Sequence, residues 1–130
     1  MLSIKDFKDI LSKYPELIDP ALTFKARDTN LYDLPVDILF EDKYRKRLVV
    51  QVKTAVIEKE HLGEVLAYKE AILSAEAPNV SVMLVANKIP PHLQKTCEHN
   101  GVAWKEINLF QIEEHLAKKG DMKLLKLLKK

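Results

Sequence analysis

The sequence predicts an α/β protein in which a mixed β-sheet core is flanked by helices. Two apolar segments, residues 36–40 and 48–53, are joined by the charged link 41–47 and predict a pair of antiparallel strands. Segments with helical spacing of their apolar residues separate the later strands, and a strand–helix–strand crossover favours parallel pairing. The predicted order is therefore α-β-β-β-α-β with extra C-terminal α/β elements.

The first element is a helix that Ser3 can cap and that ends near Lys13. Its apolar positions recur at helical spacing, at Ile4, Phe7, Ile10 and Leu11. Residues 22–27 then alternate in polarity as a short strand does, and residues 29–35 predict a loop. The N-terminal part thus supplies one helix and the first strand.

The second and third strands carry polar side chains in apolar surroundings. Asp37 lies in the first of the two apolar segments, and Gln51 and Lys53 lie in the second. Side chains alternate between the faces of a strand, so Gln51 and Lys53 share one face. A hairpin centred on Tyr44 places Asp37 opposite Gln51, with facing Cβ atoms ~5 Å apart. A register slipped by one residue sends Asp37 to the other face instead.

The C-terminal half alternates helices with strands. The predicted segments are a helix at 58–74, a strand at 80–86, a helix from Pro91 to Asn100, a strand at 102–107, and a helix from Leu109 to the C-terminus that is interrupted near Gly120. Pro91 suits the first turn of a helix, and Gly101 is the usual kind of residue just after the last turn.

Size and composition predict one cytoplasmic globular domain. The 130 residues suffice for one compact domain, which we expect to span residues 1–130. No apolar run approaches the ~18 residues of a transmembrane helix, so we expect no membrane association. Cys97 is the only cysteine, which excludes an intrachain disulfide and favours a reducing, cytoplasmic setting.

Asp37, Gln51 and Lys53 together suit a hard cation and a phosphate. Carboxylate and amide oxygens are ligands for Mg²⁺, and an ammonium neutralises a phosphate oxygen or holds an attacking water. An unpaired polar group in a buried strand costs ~1–3 kcal/mol, which favours a shared role. The alternative for each residue alone is structural: a turn for Asp37, an edge amide for Gln51 and a polar strand end for Lys53.

The spacing of these residues resembles the PD-(D/E)xK nuclease superfamily. Asp37 is followed by thirteen residues and then by Gln51-Val-Lys. The segments 14–18, 36–39, 49–53 and 63–68 look most like the nuclease domain of archaeal mismatch-specific and branched-DNA endonucleases, and Holliday-junction resolvases and Mrr-like nucleases share the core. The resemblance covers roughly residues 3–107. It implies a restriction-endonuclease-like fold and DNA cleavage with Mg²⁺ or Mn²⁺.

The resemblance assigns a role to each polar residue. Asp37 would hold the metal, and Lys53 would orient or activate water and stabilise the phosphate. Gln51 occupies the position of the usual second acid, where it keeps an oxygen ligand but lowers the negative charge of the site. Glu64 on the following helix is a candidate substitute, because some members of the superfamily carry their second acid there. The alternative for Glu64 is a solvated helix glutamate.

Further residues are candidates for metal or DNA contacts. In relatives an acid from the N-terminal region often reaches the metal, and Glu16 and Asp6 are the candidates here. Basic groups near the first strand and in the hairpin link are suited to phosphates, and an aromatic residue matches the related family: Lys25, Arg27, Arg45, Lys46 and Tyr68. Each is also compatible with a solvated charge or a packed tyrosine.

The combined hypothesis is a Mg²⁺-dependent DNA endonuclease that acts as a homodimer. One subunit has one site, and cutting both strands of DNA or a branched junction requires two. One rival is a nuclease-fold DNA-binding module that has lost cleavage, for which Gln51 is the best evidence. The other is a protein-interaction domain that uses the leucine-rich segment after Gly120, with Asp37 and Lys53 as a buried structural pair.

Overall fold

The computed structural model of the protein describes residues 2–74 and 79–129. This part of the chain contains five strands: β1 Thr23–Leu31, β2 Leu34–Glu41, β3 Arg47–Val56, β4 Val80–Lys88 and β5 Ala103–Glu106. It also contains five α-helices: α1 Ile4–Lys13, α2 Lys59–Ser74, α3 Pro91–His99, α4 Leu109–Lys119 and α5 Met122–Leu128. A 3₁₀ turn, Pro15–Leu17, lies between α1 and β1.

The strands form a mixed sheet whose order follows the chain, β1-β2-β3-β4-β5. β2 pairs antiparallel with both β1 and β3. β4 pairs parallel with both β3 and β5, because α2 and α3 return the chain between these strands. The structure therefore confirms the predicted mixed sheet with flanking helices and the order α-β-β-β-α-β with C-terminal extensions.

Apolar side chains cover both faces of the sheet. On one face α1, α4 and α5 pack on β2 and β3, and the buried residues include Phe7, Ile10, Leu11, Ile38, Phe40, Val50, Val52, Ile112 and Leu116. On the other face α2 and α3 pack on β4, and the buried residues include Leu62, Val65, Val82, Leu84, Leu93 and Cys97. The alternation of β3 thus leaves Gln51 and Lys53 on the α2 side, opposite the face that buries Val50 and Val52.

The leucine-rich C-terminal segment packs on the domain itself. Leu125 and Leu128 of α5 belong to the same buried cluster as α1. The predicted interruption lies at Gly120, whose φ of +70° ends α4 in the left-handed conformation that glycine adopts without strain. The last residue of the predicted helix lies outside the described residues. None of the helices within the described ranges is both long and apolar enough to span a bilayer.

The connection between β1 and β2 differs from the prediction. The sequence predicts a loop at 29–35, but β1 continues to Leu31 and β2 begins at Leu34. Tyr32 and Asp33 form a two-residue turn with positive φ angles of 52° and 62°. Such turns usually contain Asn-Gly or Asp-Gly. A Tyr-Asp turn lacks that signal, so the local sequence does not predict the long β1–β2 hairpin.

Candidate active site

The register of the β2–β3 hairpin determines where its polar residues lie. Ile38 faces Val50, so the hairpin is centred on Tyr44, as predicted. One more step in this register brings Asp37 opposite Gln51. The pairing of the two strands begins at Ile38, and Asp37 therefore lies where β2 separates from β3.

Asp37 takes over the strand contact at this point of separation. Its Oδ2 accepts a hydrogen bond from the backbone N–H of Val52 at 2.8 Å. A backbone donor that loses its strand partner needs another acceptor, and the carboxylate provides it. The contact fixes the side chain of Asp37 against β3. Its second oxygen, Oδ1, takes no part in this hydrogen bond.

Lys8 of α1 approaches that second oxygen. Its Nζ lies 3.3 Å from Asp37 Oδ1 and 2.7 Å from Asp28 Oδ1, and its side chain is only 14% exposed. Burial lowers the pKa of Lys8, but the hydrogen bond to Asp28 and the charge of Asp37 outweigh it and raise the pKa above its usual value. Sequence reasoning missed Lys8. Its position in the sequence could have indicated it, because Lys8 lies beside Phe7 and Leu11 on the buried face of the helix.

The same charged network includes Arg27, one of the residues predicted to contact DNA. Its Nε lies 3.3 Å from Asp28 Oδ2, and its guanidinium also pairs with Asp9. Burial opposes its charge, but the hydrogen bond to Asp9 raises the pKa of Arg27. Arg27 thus holds Asp28, one of the two carboxylates beside Lys8, in place. Lys25 is exposed on the same strand.

Lys53 and Glu64 form an ion pair between β3 and α2. Lys53 Nζ lies 3.0 Å from Glu64 Oε2, and the two side chains are 29% and 65% exposed. The hydrogen bond from Lys53 lowers the pKa of the Glu64 carboxyl. The structure thus brings Glu64 from α2 to the strand face that carries Gln51 and Lys53.

Two buried polar groups near Asp37 have no hydrogen-bond partner among the described residues. They are the amide nitrogen Nε2 of Gln51 and the hydroxyl of Tyr68. Burial, and then the charge of Asp37, raise the pKa of Tyr68 to about 12. A buried donor without a partner costs ~1–3 kcal/mol. Unmet donors beside a carboxylate are typical of a site that is completed by water or a ligand.

β3 becomes irregular just beyond Lys53. Its register with β4 shifts between Lys53 and Val56, and Ala55 adopts a φ of +63°. Asn87 supports the bulge, because its Oδ1 accepts the N–H of Ala55 at 2.8 Å and its Nδ2 donates to Ile107 O at 3.0 Å. Bulges that redirect a strand are common beside functional sites.

The structure does not bring every predicted residue to this face. Glu16 lies 2.7 Å from His115 Nε2 and 3.9 Å from Lys119 Nζ, and none of its described contacts involves Asp37. Burial opposes its charge, but the hydrogen bond from His115 lowers the pKa of Glu16. Asp6 lies in the first turn of α1, where its N–H donates to Ser3 Oγ at 3.0 Å.

Arg45 and Lys46 occupy the tip of the β2–β3 hairpin. Asp42 organises this turn, since its Oδ1 accepts the N–H of Lys46 at 2.9 Å, and Arg45 has a positive φ of 64°. The tip precedes Arg47, and Lys53 lies six positions further along the extended strand, a span of ~20 Å. Any phosphate that Arg45 or Lys46 contacts is therefore several nucleotides away from Lys53.

The available oxygen donors are few. Within 2–74 and 79–129, no three His, Cys, Asp or Glu side chains are close enough to hold a metal ion together. The hard donors predicted from the sequence that lie on this face are the carboxylates of Asp37 and Glu64 and the amide oxygen of Gln51. Mg²⁺ usually takes one or two protein carboxylates and keeps several waters. Two carboxylates and one amide oxygen are donors of this kind, so the chemistry of the donor set fits Mg²⁺ or Mn²⁺.

Solved structures with a similar fold include a repair endonuclease. It comes from Pyrococcus abyssi and has a TM-score of 0.72 at 18% identity, over 83% of this chain and 48% of that chain. EndoMS in complex with dsDNA and EndoMS in apo form have TM-scores of 0.70 and 0.68 at 18% and 17% identity, each over 83% of this chain and 47% of the other. The chain spans about half the length of these proteins.

At this level of identity the likeness shows the fold alone. The five-stranded mixed sheet with flanking helices is similar to restriction-endonuclease-like nuclease structures. The sequence matches no protein-family model, and no curated protein is significantly similar to it.

Proposed function

We propose that this protein is a metal-dependent DNA endonuclease of the PD-(D/E)xK superfamily. The proposal depends on one observation: Asp37, Gln51 and Lys53 share a sheet face at the point where β2 leaves β3, and α2 adds Glu64 to them. A similar fold in a repair endonuclease supports a nuclease function. EndoMS was solved with dsDNA, which makes duplex DNA the first substrate to test.

Asp37, Gln51 and Glu64 are the residues that would hold Mg²⁺ or Mn²⁺. A bound ion of this kind lowers the pKa of a coordinated water and offsets the negative charge of the phosphate under attack. Gln51 contributes no charge, so Glu64 compensates for the missing acid. Its exposed carboxylate is free to leave Lys53, since an ion pair at the surface contributes little to stability.

Lys53 supplies the positive charge at the scissile phosphate. Its ammonium is partly exposed to a phosphate oxygen, and the ion pair with Glu64 holds it in place before DNA binds. Tyr68 and the amide of Gln51 donate hydrogen bonds to the bound water or to the DNA backbone, which satisfies the two buried donors. In this mechanism the chain positions the phosphate and the water, and no covalent enzyme intermediate forms.

The DNA backbone extends from this face to the exposed basic residues Lys25, Arg45 and Lys46. Phosphate contacts of this kind position the DNA without reading its sequence. We further propose a homodimer, because one site cuts one strand at a time and two symmetric sites cut both. A monomer in light scattering at micromolar concentration contradicts the dimer.

The decisive experiment measures cleavage of duplex, mismatched, flap and four-way-junction DNA with Mg²⁺ or Mn²⁺. The variants are Asp37→Asn, Lys53→Met and Glu64→Gln, with Glu70→Gln on exposed α2 and Lys105→Met on β5 as matched controls. Loss of one transition-state contact to the phosphate lowers the rate by roughly 10²–10³-fold. We expect that loss for Asp37→Asn and Lys53→Met, a smaller loss for Glu64→Gln, and none for the controls.

Gln51 in place of an acid favours a second candidate, a DNA-binding module that has lost cleavage. The lack of a group of three acids among the described residues favours it too. Tight DNA binding without cleavage of any substrate, with either metal, supports this candidate. Cleavage that is equal in wild type and Lys53→Met excludes the proposed site.

A further inference from the structure

Lys8 occupies the oxygen of Asp37 that the strand contact leaves free. Oδ2 of Asp37 accepts the N–H of Val52, whereas Oδ1 faces Lys8 Nζ at 3.3 Å. The Lys8 side chain is only 14% exposed, so α1 packing holds its ammonium at this position. A cation from the protein thus already lies at the oxygen that a metal ion needs.

We infer, on the basis of the proposed function, that Lys8 is a positioning residue that competes with the divalent cation for Asp37 Oδ1. Two cations at one carboxylate oxygen repel each other strongly, because charges a few ångströms apart interact by several kcal/mol even in a partly solvated site. A divalent cation therefore binds Asp37 only when Lys8 withdraws. Lys8 sets how tightly the site holds its metal.

Asp28 provides the position to which Lys8 withdraws. Lys8 Nζ is closer to Asp28 Oδ1, at 2.7 Å, than to Asp37 Oδ1, at 3.3 Å. Arg27 fixes the other oxygen of Asp28, since its Nε lies 3.3 Å from Oδ2. The ammonium is shared between two carboxylates, and it stays neutralised when it moves away from Asp37. Weakening Asp28 therefore strengthens the hold of Lys8 on Asp37.

The arrangement also balances the charge of the site before metal binds. Asp37 is paired with Lys8, and Glu64 is paired with Lys53. The two carboxylates Asp37 and Glu64 are matched by the two ammonium groups of Lys8 and Lys53, so these four groups together give the metal-free site no net charge. Such a site attracts a free cation weakly.

The test measures Mn²⁺ affinity in the absence of DNA, from the free-ion signal in electron paramagnetic resonance. Lys8→Met is expected to lower the Mn²⁺ dissociation constant about fivefold, the equivalent of one modest ion pair. Asp28→Asn is expected to raise it about two- to fivefold, because Lys8 then has Asp37 as its main partner. Lys5→Met is the matched control, since it removes the same charge from the same helix at an exposed position.

Each outcome separates the inference from the function on which it rests. A lower Mn²⁺ dissociation constant for Lys8→Met and a higher one for Asp28→Asn support the competition. If one variant folds poorly, the sign of the shift in the other still tests it. Equal Mn²⁺ affinities of wild type, Lys8→Met and Asp28→Asn, together with loss of binding in Asp37→Asn, overturn the role of Lys8 alone. Absence of any Mn²⁺ binding that depends on Asp37 overturns both the inference and the proposed metal site. A shift in Lys5→Met as large as that in Lys8→Met shows a mere effect of net charge and also overturns it.

Discussion

Asp37 has a structural role and, in the proposed mechanism, a chemical role as well. One oxygen completes the hydrogen bonding of β3 through Val52, and the other faces the charged groups of the site. A carboxylate fixed in this way needs little reorganisation when a cation binds, which is how preorganised sites lower a barrier. The two roles can be separated by substitution.

Asp37→Ala is expected to lower the free energy of unfolding by about 1–2 kcal/mol, because the N–H of Val52 loses its acceptor. Asp37→Asn is expected to cost less, since the amide oxygen still accepts that hydrogen bond. Urea unfolding of both variants checks the difference, with Glu41→Ala on the same strand as the control. Equal destabilisation by Ala and Asn contradicts a hydrogen-bonding role for the side chain.

Tyr68→Phe tests whether the unpartnered hydroxyl serves function rather than folding. The hydroxyl has no partner among the described residues, so its removal should leave the free energy of unfolding within about 0.5 kcal/mol of wild type, or raise it. The same substitution should weaken DNA binding or cleavage. Thermal unfolding and a DNA-binding titration measure the two effects. A clear loss of stability with unchanged DNA binding assigns Tyr68 to the core instead.

At this scale the sequence predicts the strand residues of the site better than the helix residues. Asp37, Gln51 and Lys53 follow from the period of two in a strand and from the hairpin centre. Lys8 does not, because its partners Asp28 and Asp37 come from β1 and β2, and nothing local indicates that α1 packs against that end of the sheet. The roles of the predicted residues stay predictions until they are tested by substitution.

At the scale of elements, the bulge at the end of β3 is the strained feature beside the site. Ala55 has a φ of +63°, which costs an L-residue roughly 1–2 kcal/mol. Asn87 offsets part of this strain, because its Oδ1 accepts the N–H of Ala55 and its Nδ2 donates to the carbonyl of Ile107. The bulge begins after the pair of Lys53 and Ala86, which is the last regular pair between β3 and β4. The regular strand therefore ends directly after Lys53.

Ala55→Gly is expected to raise the free energy of unfolding by roughly 0.5 kcal/mol. Glycine relieves the strain of positive φ but also gains freedom in the unfolded chain, so the net effect is small and favourable. Ala67→Gly on the exposed face of α2 is the matched control and should lower stability by about 1 kcal/mol. Chemical unfolding of both variants gives the comparison. Destabilisation by Ala55→Gly contradicts strain at the bulge.

The element order was predictable because periodicity and end signals agree with the packing. The caps at Ser3 and Gly120 lie where the sequence places them. The β1–β2 hairpin was not predictable, because Tyr32 and Asp33 adopt positive φ without a glycine. Tertiary pairing of two long strands enforces that turn, and a local pattern does not reveal it.

At the scale of the whole molecule, one carboxylate connects the two ends of the described chain. Asp121 Oδ2 lies 2.6 Å from both Lys13 Nζ and the hydroxyl of Tyr14, and its Oδ1 accepts the N–H of Leu124 at 3.1 Å. Residues from the end of α1 thus bind the residue that caps α5. The hydrogen bond from Lys13, followed by that from Tyr14, lowers the pKa of Asp121 to about 2.

This lowered pKa predicts a specific contribution to acid stability. An unfolded aspartate has a pKa of ~3.9, so the stabilising effect of Asp121 is complete above that pH and is lost as the pH falls through about 2. Asp121→Asn keeps a side chain that caps helices well but removes the charge. The difference in unfolding free energy between wild type and Asp121→Asn should therefore be constant from about pH 5 to 7 and shrink between about pH 4 and 2. Urea unfolding across this range measures it. A difference that stays constant down to pH 2 contradicts the coupling of α1 to α5 through this charge.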